Sequence, residues 1–475
     1  MERKKMFIDG EFCDSESGGA APTICPATEE PIAEVPMATV GDTRRAIAAA
    51  RRAFDDGVWS GMSPADRAKA LLRVVELLKA KEAELAEIEA KDSGATIRKT
   101  TMMDIPVGIE HFRQLVELGA RIPTYEPLPW IDFPYVSWNF VNREPIGVCA
   151  GIIPWNFPFM MAVWKTAPAL IMGNTLVLKP ASDTPLSALV LAECVAEADL
   201  PKGVFNVVTG SGAVVGRELA SNPMVDKVAL TGSTATGREV MRLASDTVKK
   251  VTLELGGKSP TIILDDADLN IAVDGALFGT FFHAGQVCES GTRCFVPASI
   301  CDEFMGMLLE RVSHIKVGDP LDFDTTMGPL INLAQYEKVL GYIELGQAEG
   351  ARLLCGGKRP NGLDKGFFAE PTVFDQVRND MRIAQEEIFG PVLSVIRYES
   401  VDAAIAMANA SIYGLGGAVF SRDIPKAIEV AKRLRTGTVW INDYHLINAL
   451  APFGGYKQSG TGRELGPHGL LEFTE

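Results

Sequence analysis

Hydrophobic positions repeat at helical spacing near the start of the chain. Ala, Ile and Phe recur every three or four positions over residues 43–54, which predicts an amphipathic helix. A second helix is predicted from Ser63, because Ser63-Pro64-Ala65-Asp66 combines an N-cap serine, a proline at the first helical position and an acidic residue three after the cap. We expect this helix to reach Lys91, where Ser93-Gly94 supplies a stop.

Residues 124–144 have a different pattern, with many prolines and aromatics. Tyr135, Ser137 and Asn139 alternate with Val136 and Trp138, which predicts one or two extended strands. An exposed strand rich in aromatics invites pairing with another subunit.

Short apolar strands then alternate with helices. Strands are predicted at residues 175–178, 204–208, 227–230 and 251–255, and helices at 185–198, 213–220 and 239–245. A second alternation follows Gly256-Gly257: it starts with a strand at 261–264 and a helix at 271–282, and continues past residue 440. Such alternation predicts an α/β fold with doubly wound parallel sheets, which bind ligands at the carboxyl ends of their strands.

Composition narrows the class of protein. The 475 residues suggest about three domains, and 47% hydrophobic with 23% charged residues excludes a mainly disordered chain. Lys and Arg total 46 against 61 Asp and Glu, a net charge of −15 that makes nucleic acid an unsuitable partner. No signal peptide is visible, and the uncharged stretch 146–164 contains Pro154, Asn156 and Pro158, which do not suit a membrane span. We expect a cytoplasmic protein that binds no membrane.

The eight cysteines are scattered. None forms a C-x-x-C pair, and the five histidines do not join them at zinc spacing, so we expect no metal site. In a long chain without a signal peptide they are expected to be reduced thiols, most of them buried as small hydrophobic side chains.

Two glycine-rich turns lie between predicted strands and helices. Gly210-Ser211-Gly212 with Gly216 approximates a dinucleotide fingerprint but is one residue too long. The second turn, residues 232–237, is followed by Arg238, where a phosphate-binding loop has lysine. Both turns could direct backbone N–H groups toward phosphates, or could serve only as tight turns. The pattern alone leaves both roles open.

Three side chains could carry chemistry. Cys288 lies in a glycine-flanked loop that could expose a nucleophilic thiol, although His283 nearby does not establish a Cys–His dyad. Glu254 ends a very apolar strand, where partial desolvation would raise its pKa toward that of a general base. Asn156 in a proline-flanked turn could donate to an oxyanion. Taken singly, each could equally be structural: a buried cysteine, a salt-bridged glutamate and a turn cap.

Five motifs occur in a fixed order along the chain. They are Pro154-Trp155-Asn156-Phe157-Pro158, Leu253-Glu254-Leu255-Gly256-Gly257-Lys258, Gly285-Gln286-Val287-Cys288, Glu386-Glu387-Ile388-Phe389-Gly390-Pro391 and Pro452-Phe453-Gly454-Gly455-Tyr456-Lys457-Gln458-Ser459-Gly460. From Phe7 to Glu475 this series closely resembles the aldehyde dehydrogenase superfamily.

The resemblance implies two Rossmann-like domains and a small β oligomerisation flap. The dinucleotide-binding domain would comprise residues 1–123 and 146–256, and the catalytic domain 257–445. Residues 124–145 and 446–475 would form the oligomerisation strands and C-terminal segment.

The resemblance also implies a mechanism. Cys288 would attack an aldehyde, and Asn156 with the Cys288 backbone N–H would stabilise the oxyanion. Oxidation would give a thioester, which Glu254 would release by activating water. Lys165 and Glu464 match positions proposed to assist proton movement.

The implied cofactor is NAD or NADP. Lys179 and Glu387 would contact its riboses, Gly212 and Gly216 the adenosine half, and the turn at Gly232 the pyrophosphate. NAD-specific members carry a glutamate three residues after the lysine, where this chain has Ser182. Without that repelling charge we expect NADP to be tolerated, with dual use. The full predicted cofactor site is Ile152, Trp155, Lys179, Ser182, Gly212, Gly216, Thr231, Gly232, Ser233, Leu255, Glu387 and Phe389.

The resemblance also implies a tunnel for the aldehyde substrate, but it defines the substrate less closely than the cofactor. Succinic semialdehyde dehydrogenases have an arginine at the position of Trp164, so a carboxylated aldehyde is disfavoured and an uncharged aliphatic or aromatic aldehyde is expected. Aromatic walls with Glu289 could also hold a quaternary ammonium, which keeps a betaine-type aldehyde as an alternative. His445 and Asp443 have no assigned role. The predicted pocket is Phe157, Met161, Trp164, Phe282, Glu289, Tyr444 and Ile447.

A CoA-acylating dehydrogenase and an inactive structural relative fit the motifs less well. The first generally lacks the glutamate matching Glu254, and the second would be expected to lose Cys288 or Glu254. Family members are homodimers or homotetramers. The family's last strand would follow Glu475, which leaves the choice between dimer and tetramer open.

Overall fold

The computed structural model describes residues 2–475 and contains two largely parallel β-sheets flanked by helices. In the first sheet five central strands run parallel, and the edge strands are antiparallel. From one edge to the other, its strands are Gly460–Thr461, Lys250–Glu254, Lys227–Thr231, Val148–Ile152, Thr175–Lys179, Phe205–Val207, Met6–Ile8 and Glu11–Cys13.

The first sheet is buried on both faces. Every residue of Val148–Ile152 and Thr175–Lys179 is buried, as expected for parallel strands covered by helices on both sides. Side chains alternate between two cores: Leu176 and Leu178 belong to one and Val177 to the other.

Helices of this half surround the sheet, and two of them are π-helices. They are Val40–Asp55, Pro64–Ala80, Glu82–Ser93, Ile97–Lys99, Thr100–Asp104 (π), Ile105–Gly119, Pro158–Ile171, Leu186–Glu197, Gly212–Gly216 (π), Arg217–Ser221 and Thr234–Ser245.

The second sheet is parallel except at one edge, where Arg352–Cys355 is antiparallel. Its strand order is Arg352–Cys355, Thr372–Asp375, Val392–Tyr398, Arg293–Pro297, Pro260–Ile263, Gly416–Phe420 and Thr438–Ile441. Its helices, including the 3₁₀ turn Phe282–Gly285, are Leu269–Phe281, Phe282–Gly285, Cys301–Val312, Leu333–Ala348, Arg382–Gln385, Val401–Asn409 and Ile424–Arg433. A 3₁₀ turn at Lys457–Ser459 and the helix Gly466–Leu471 complete the chain.

The helix predicted over residues 63–91 is two helices, which is a correction. Ser63 caps the first by accepting the Asp66 N–H at 3.1 Å, as predicted, but the backbone leaves helical geometry at Lys81. Glu82–Ser93 then ends at Gly94, whose positive φ of 73° forms the predicted stop.

The helix after Gly232 begins earlier than predicted. It starts at Thr234 rather than 239, because Ser233 caps it by accepting the Thr236 N–H at 3.2 Å. The helix predicted at 213–220 is a π-turn followed by a short α-helix.

Two smaller sheets lie outside the main ones. Glu2–Arg3, Pro31–Pro36 and Ala20–Ile24 form one. The other is an antiparallel ribbon of Tyr125–Pro127 and Phe140–Asn142. The loop between the ribbon strands exposes aromatic side chains, including Trp138 at 86%.

These sheets confirm the predicted α/β fold class. The residue boundaries of the three domains stay a prediction, as does a cytoplasmic location. Across residues 2–475, no helix combines the length and apolarity that a bilayer span requires.

Candidate active site

The site lies where the strand order of the first sheet reverses. Val148–Ile152 pairs with Thr175–Lys179 on one side and with Lys227–Thr231 on the other. The register brings the carboxyl ends of these strands together: Ile152 stands opposite Lys179, and Thr231 opposite Glu254. Such a reversal opens a crevice between the loops that follow the strands.

A cavity of about 310 Å³ occupies this crevice. Most of the residues predicted for the site line it: Trp155, Asn156, Phe157, Met161, Trp164, Thr231, Gly232, Ser233, Glu254, Leu255, Phe282, Cys288, Glu289, Glu387, Phe389, Ile447 and Glu464. Lys165 and Tyr444 are buried and hydrogen-bonded to residues of its wall. Ile152, Lys179, Ser182, Gly212 and Gly216 do not line it. They lie at the neighbouring strand ends and glycine turn.

Asn156 is tied to the cysteine loop. Its Nδ2 donates one hydrogen to the Gln286 carbonyl at 2.8 Å, which leaves the second amide hydrogen for another acceptor. Gly257 permits the loop to approach, because a Cβ there would lie 2.5 Å from the Cys288 carbonyl oxygen. The Asn156 amide and the thiol loop are therefore fixed relative to each other.

Glu254 is buried and free of hydrogen bonds. Within residues 2–475, neither of its carboxylate oxygens has a partner. Burial raises its pKa to about 8, against the opposing attraction of Lys165 and Arg463. This is the desolvated strand-end carboxylate that the sequence predicted, rather than a salt-bridged one.

Lys165 and Glu464 form a buried ion pair near Glu254, whose charge acts on Lys165. Lys165 Nζ also donates to Thr231 Oγ1 at 2.7 Å, at the end of the strand Lys227–Thr231. A charged pair with a hydroxyl at its side can hold a proton close to the cavity.

The thiol of Cys288 contacts a second carboxylate. Its Sγ donates to Glu289 Oε2 at 3.0 Å, and Glu289 Oε1 lies 3.1 Å from His445 Nδ1. Burial, then the Glu289 charge, raises the pKa of Cys288 well above its usual value. Burial also raises the pKa of Glu289, but the hydrogen bond and charge of His445 outweigh it and hold that pKa below the ordinary value.

The dinucleotide end offers donors and open space. Ser233 and the N-terminus of Thr234–Ser245 face the cavity, as suits a pyrophosphate. A Cβ at Gly212 would meet nothing within 4 Å, and Lys179 Nζ uses only the Pro180 carbonyl, so hydrogens remain for a ribose. Glu387 accepts the Gly257 N–H at 3.2 Å. These residues fit a bound dinucleotide.

Two further predicted residues also have defined surroundings. Phe389 has a positive φ of 58° and meets Trp155 edge to face at 5.2 Å between ring centroids. Ser182 Oγ donates to the Gly210 carbonyl at 3.1 Å, so no carboxylate occupies the position beside this glycine turn.

The opposite end is lined with aromatics and contains polar groups that sequence reasoning missed. Trp164 Nε1 donates to His111 Nδ1 at 3.1 Å. Beside it, an ion pair joins Lys99 to Asp104, and the Lys99 ammonium stands 4.0 Å from the centroid of Phe157.

The lining residues that the prediction did not include are Met103, Asp104, Val107, His111, Pro154, Met160, Gly256, Gln335, Lys338, Leu446 and Phe453. Helical spacing from Trp164 would have found Met160, four residues earlier on the same helix face. Residues 103–111 carried no signal, because their mixture of apolar and polar side chains is that of an ordinary helix with one buried face. His445, for which no role was assigned, lines the cavity through its contact with Glu289.

A thiol beside an amide donor, an unpartnered carboxylate and a crevice with donors for a dinucleotide are together typical of a dinucleotide-dependent oxidoreductase. Comparison with known proteins narrows this class. Residues 12–475 match the model of the aldehyde dehydrogenase family, and the chain belongs to that family. It is an NAD(P)-dependent enzyme that oxidises an aldehyde.

Several relatives cover nearly the whole chain. It is 48% identical to a betaine aldehyde dehydrogenase of Bacillus subtilis over 474 residues, 99% of this chain and 96% of that protein. The crystal structure of a betaine aldehyde dehydrogenase from Staphylococcus aureus with NAD+ is 44% identical, with a TM-score of 0.96, covering 99% of this chain and 93% of that one. An NAD+ complex of an aldehyde dehydrogenase from Bacillus cereus is also 44% identical, with a TM-score of 0.97 and coverage of 100% and 95%.

Proposed function

We propose that this enzyme converts an uncharged aliphatic or aromatic aldehyde to its carboxylic acid through Cys288. The observation that carries the substrate class is the Lys99 ammonium, 4.0 Å from the Phe157 centroid and 5.4 Å from that of Phe282. This cation, which Asp104 pairs, already contacts both rings, so they are less available to the cation of a substrate. Glu289 is engaged as well, by His445 and the thiol.

Cys288 Sγ attacks the aldehyde carbon in the first step. The charge that develops on the carbonyl oxygen is stabilised by the second amide hydrogen of Asn156 and by the Cys288 backbone N–H. Because Asn156 already bonds the Gln286 carbonyl, its amide is oriented before the substrate arrives.

When bound, NAD(P)+ would be the oxidant for the substrate carbon. Lys179, Ser233 and Glu387 would hold it, through the free lysine hydrogens, the helix N-terminus and a carboxylate for ribose hydroxyls. The absent carboxylate at Ser182 supports use of both NAD and NADP.

Glu254 acts in the release of the acid. Its two unpartnered oxygens can accept a proton from a water that attacks the thioester on Cys288. The nearby Lys165–Glu464 ion pair can take part in moving that proton away from Glu254. The presence of Glu254 argues against a dehydrogenase that transfers the acyl group to CoA. The presence of both Cys288 and Glu254 argues against an inactive structural relative.

The test follows nicotinamide reduction with propanal, hexanal, benzaldehyde, betaine aldehyde and succinic semialdehyde, each with NAD and with NADP. We expect the uncharged aldehydes to have the highest kcat/KM and Cys288→Ala to abolish turnover. Cys301→Ala is the matched control, because Cys301 is buried at a helix start outside the cavity. No activity without CoA would overturn the hydrolytic mechanism.

A betaine-type aldehyde is the second candidate. Proteins named betaine aldehyde dehydrogenase are 48% and 47% identical to this chain, and the Asp104 and Glu289 carboxylates line the cavity. A kcat/KM for betaine aldehyde well above that for hexanal would select this candidate over the first.

We also propose that the enzyme is a homodimer or homotetramer. The loop of the aromatic ribbon exposes Phe133 and Tyr135 at 82% and Trp138 at 86%, and a second copy would cover these side chains. Light scattering of the wild type and of Trp138→Ser tests this: a monomeric wild type would contradict it.

A further inference from the structure

We propose that Glu289, rather than Glu254, takes the proton of the Cys288 thiol when it attacks the substrate, and that His445 positions Glu289 for this role. The inference rests on the proposed nucleophilic role of Cys288. It assigns to two different carboxylates the two proton transfers of the reaction.

Glu289 and Glu254 differ in their hydrogen-bond partners. Glu289 Oε2 accepts the Cys288 S–H at 3.0 Å, within hydrogen-bond reach of the proton it would abstract. Neither oxygen of Glu254 is bonded to the thiol or to any other described group. Glu254 is placed to meet a water, whereas Glu289 is placed to meet the sulfur.

The contacts of His445 restrict where the protons lie. Its Nε2 is 3.2 Å from the Phe278 carbonyl oxygen, which can only accept, so Nε2 carries a hydrogen. The 3.1 Å contact between Nδ1 and Glu289 Oε1 then shares one proton between imidazole and carboxylate. The second carboxylate oxygen, Oε2, stays directed at the sulfur.

The ring of His445 is held in this orientation. It packs against Phe278 and Phe282, with ring centroids 5.1 and 5.3 Å away, and its backbone has a positive φ of 64°. Non-glycine residues adopt this conformation only where surrounding contacts impose it. The Tyr444 hydroxyl adds a 3.0 Å hydrogen bond to the Glu289 carbonyl, which fixes the backbone as well.

The proton transfer balances within this cluster. The S–H bond of Cys288 breaks, its electron pair forms the C–S bond, the carbonyl π pair moves to oxygen, and the proton goes to Glu289 Oε2. Glu254 and Glu387 are the other acids acting on the thiol, and the Tyr444 hydroxyl faces Glu289. A proton released to solvent would leave a thiolate beside ionised Glu289, whereas transfer to Glu289 adds no negative charge before attack.

Charge repulsion alone predicts the opposite effect of removing Glu289 on the reactivity of Cys288. If Glu289 only repels a thiolate, its removal should make Cys288 more reactive. If Glu289 accepts the proton, its removal should make Cys288 less reactive near neutral pH. The sign of the change distinguishes the two.

The first experiment measures alkylation of Cys288 by iodoacetamide, with mass spectrometry of the labelled peptide, from about pH 5 to pH 10. In the wild type we expect a plateau, because the proton passes between thiol and carboxylate without exchange with solvent. In Glu289→Gln we expect no plateau and labelling at least about tenfold slower below neutral pH. Ser290→Ala, a neighbouring buried side chain outside the cavity, should retain the wild-type profile.

His445→Asn tests the positioning role. Because His445 favours the ionised carboxylate of Glu289, its loss should move the start of the plateau to higher pH without removing the plateau. Unchanged thermal unfolding of each variant excludes misfolding as the cause. If Glu289→Gln fails this check, Glu289→Ala replaces it, and the same loss of plateau is expected.

The second experiment separates the steps of turnover. In a rapid-mixing assay with hexanal, Glu289→Gln should slow the first burst of reduced nicotinamide about 100-fold, while Glu254→Gln keeps the burst and loses steady-state turnover. Faster alkylation, or an unchanged burst, in Glu289→Gln overturns the proposal. Turnover by Cys288→Ala would instead overturn the proposed function itself.

Discussion

Release of the acid should follow the ionisation of Glu254. Burial raises the pKa of this carboxyl to about 8, and only the ionised form can accept a proton from water. Near neutral pH most molecules therefore hold Glu254 protonated, and the acyl-enzyme should accumulate. Raising the pH should relieve this limitation.

The size of the effect follows from the pKa. With a value of about 8, roughly one eleventh of the molecules are ionised at about pH 7 and roughly ten elevenths at about pH 9. Steady-state turnover limited by deacylation should rise about tenfold across this range. Arg463 contributes by lowering the pKa of Glu254, so Arg463→Met should move the rise to higher pH, and Arg463→Lys should keep it in place.

Hydrolysis of p-nitrophenyl acetate without nucleotide isolates this step. The ester acylates Cys288 directly, so a burst of nitrophenol reports acylation and the following steady rate reports release of acetate. We expect the steady rate, corrected for spontaneous hydrolysis, to rise with a midpoint near pH 8 and to be lost in Glu254→Gln. A flat steady rate, or a midpoint near the ordinary glutamate value of about 4.3, would refute the reasoning.

Three further predictions concern cofactor, stability and packing. Ser182→Glu, which places a carboxylate beside the Gly210 turn, should lower kcat/KM for NADP relative to NAD at least about tenfold, and an unchanged ratio would contradict the cofactor argument. Burial raises the pKa of Asp92 to about 8 in the folded protein. Its contribution to stability is therefore complete at low pH and is lost as pH rises through about 8, by up to about 5 kcal/mol. Urea unfolding between about pH 5 and pH 8 should show this decline, and Asp92→Asn should flatten it. Trp164→Phe leaves His111 Nδ1 without its donor and should lower the free energy of unfolding by about 1–3 kcal/mol, measured in the same assay, with no change as the refuting result.

The sequence predicted the parts of the site that lie in loops at strand ends. The turns around Asn156, Gly232 and Glu254 each follow a buried parallel strand, and the strand order alone requires them to meet. Their residue types are local features, since glycine, proline and a terminal carboxylate are visible without knowledge of the fold.

The sequence did not predict contacts between distant segments. His111 and Asp104 reach the cavity because the helix Ile105–Gly119 packs against Pro158–Ile171 and the π-helix that contains Asp104 runs directly into it. Nothing in their own pattern distinguishes them from other helical residues. The break at Lys81 is similar, because the helical pattern continues through it. Packing decides both, and packing depends on the whole chain.

Glu289 illustrates the same limit at one residue. The sequence placed it beside Cys288 and suggested a partner for a cationic substrate. Its partner in the structure is His445, 156 positions further along the chain. The backbone of His445 has a positive φ, which no local sequence pattern predicts. The adjacent carboxylate is therefore bound by the protein's own imidazole and thiol.

Four of the five carboxylates that line the cavity divide into two kinds. Glu464 is paired with Lys165 and Glu289 with His445, and the pKa of Glu289 is held below its ordinary value. Burial instead raises the pKa of Glu254 to about 8 and that of Glu387 to about 7. Groups whose environments separate their pKa values can take different proton-transfer roles. Near neutral pH a mostly protonated Glu254 is a poor acceptor for the thiol proton, whereas ionised Glu289 already contacts it. The order of the two pKa values therefore favours Glu289 over Glu254 as the base of the proposed first step.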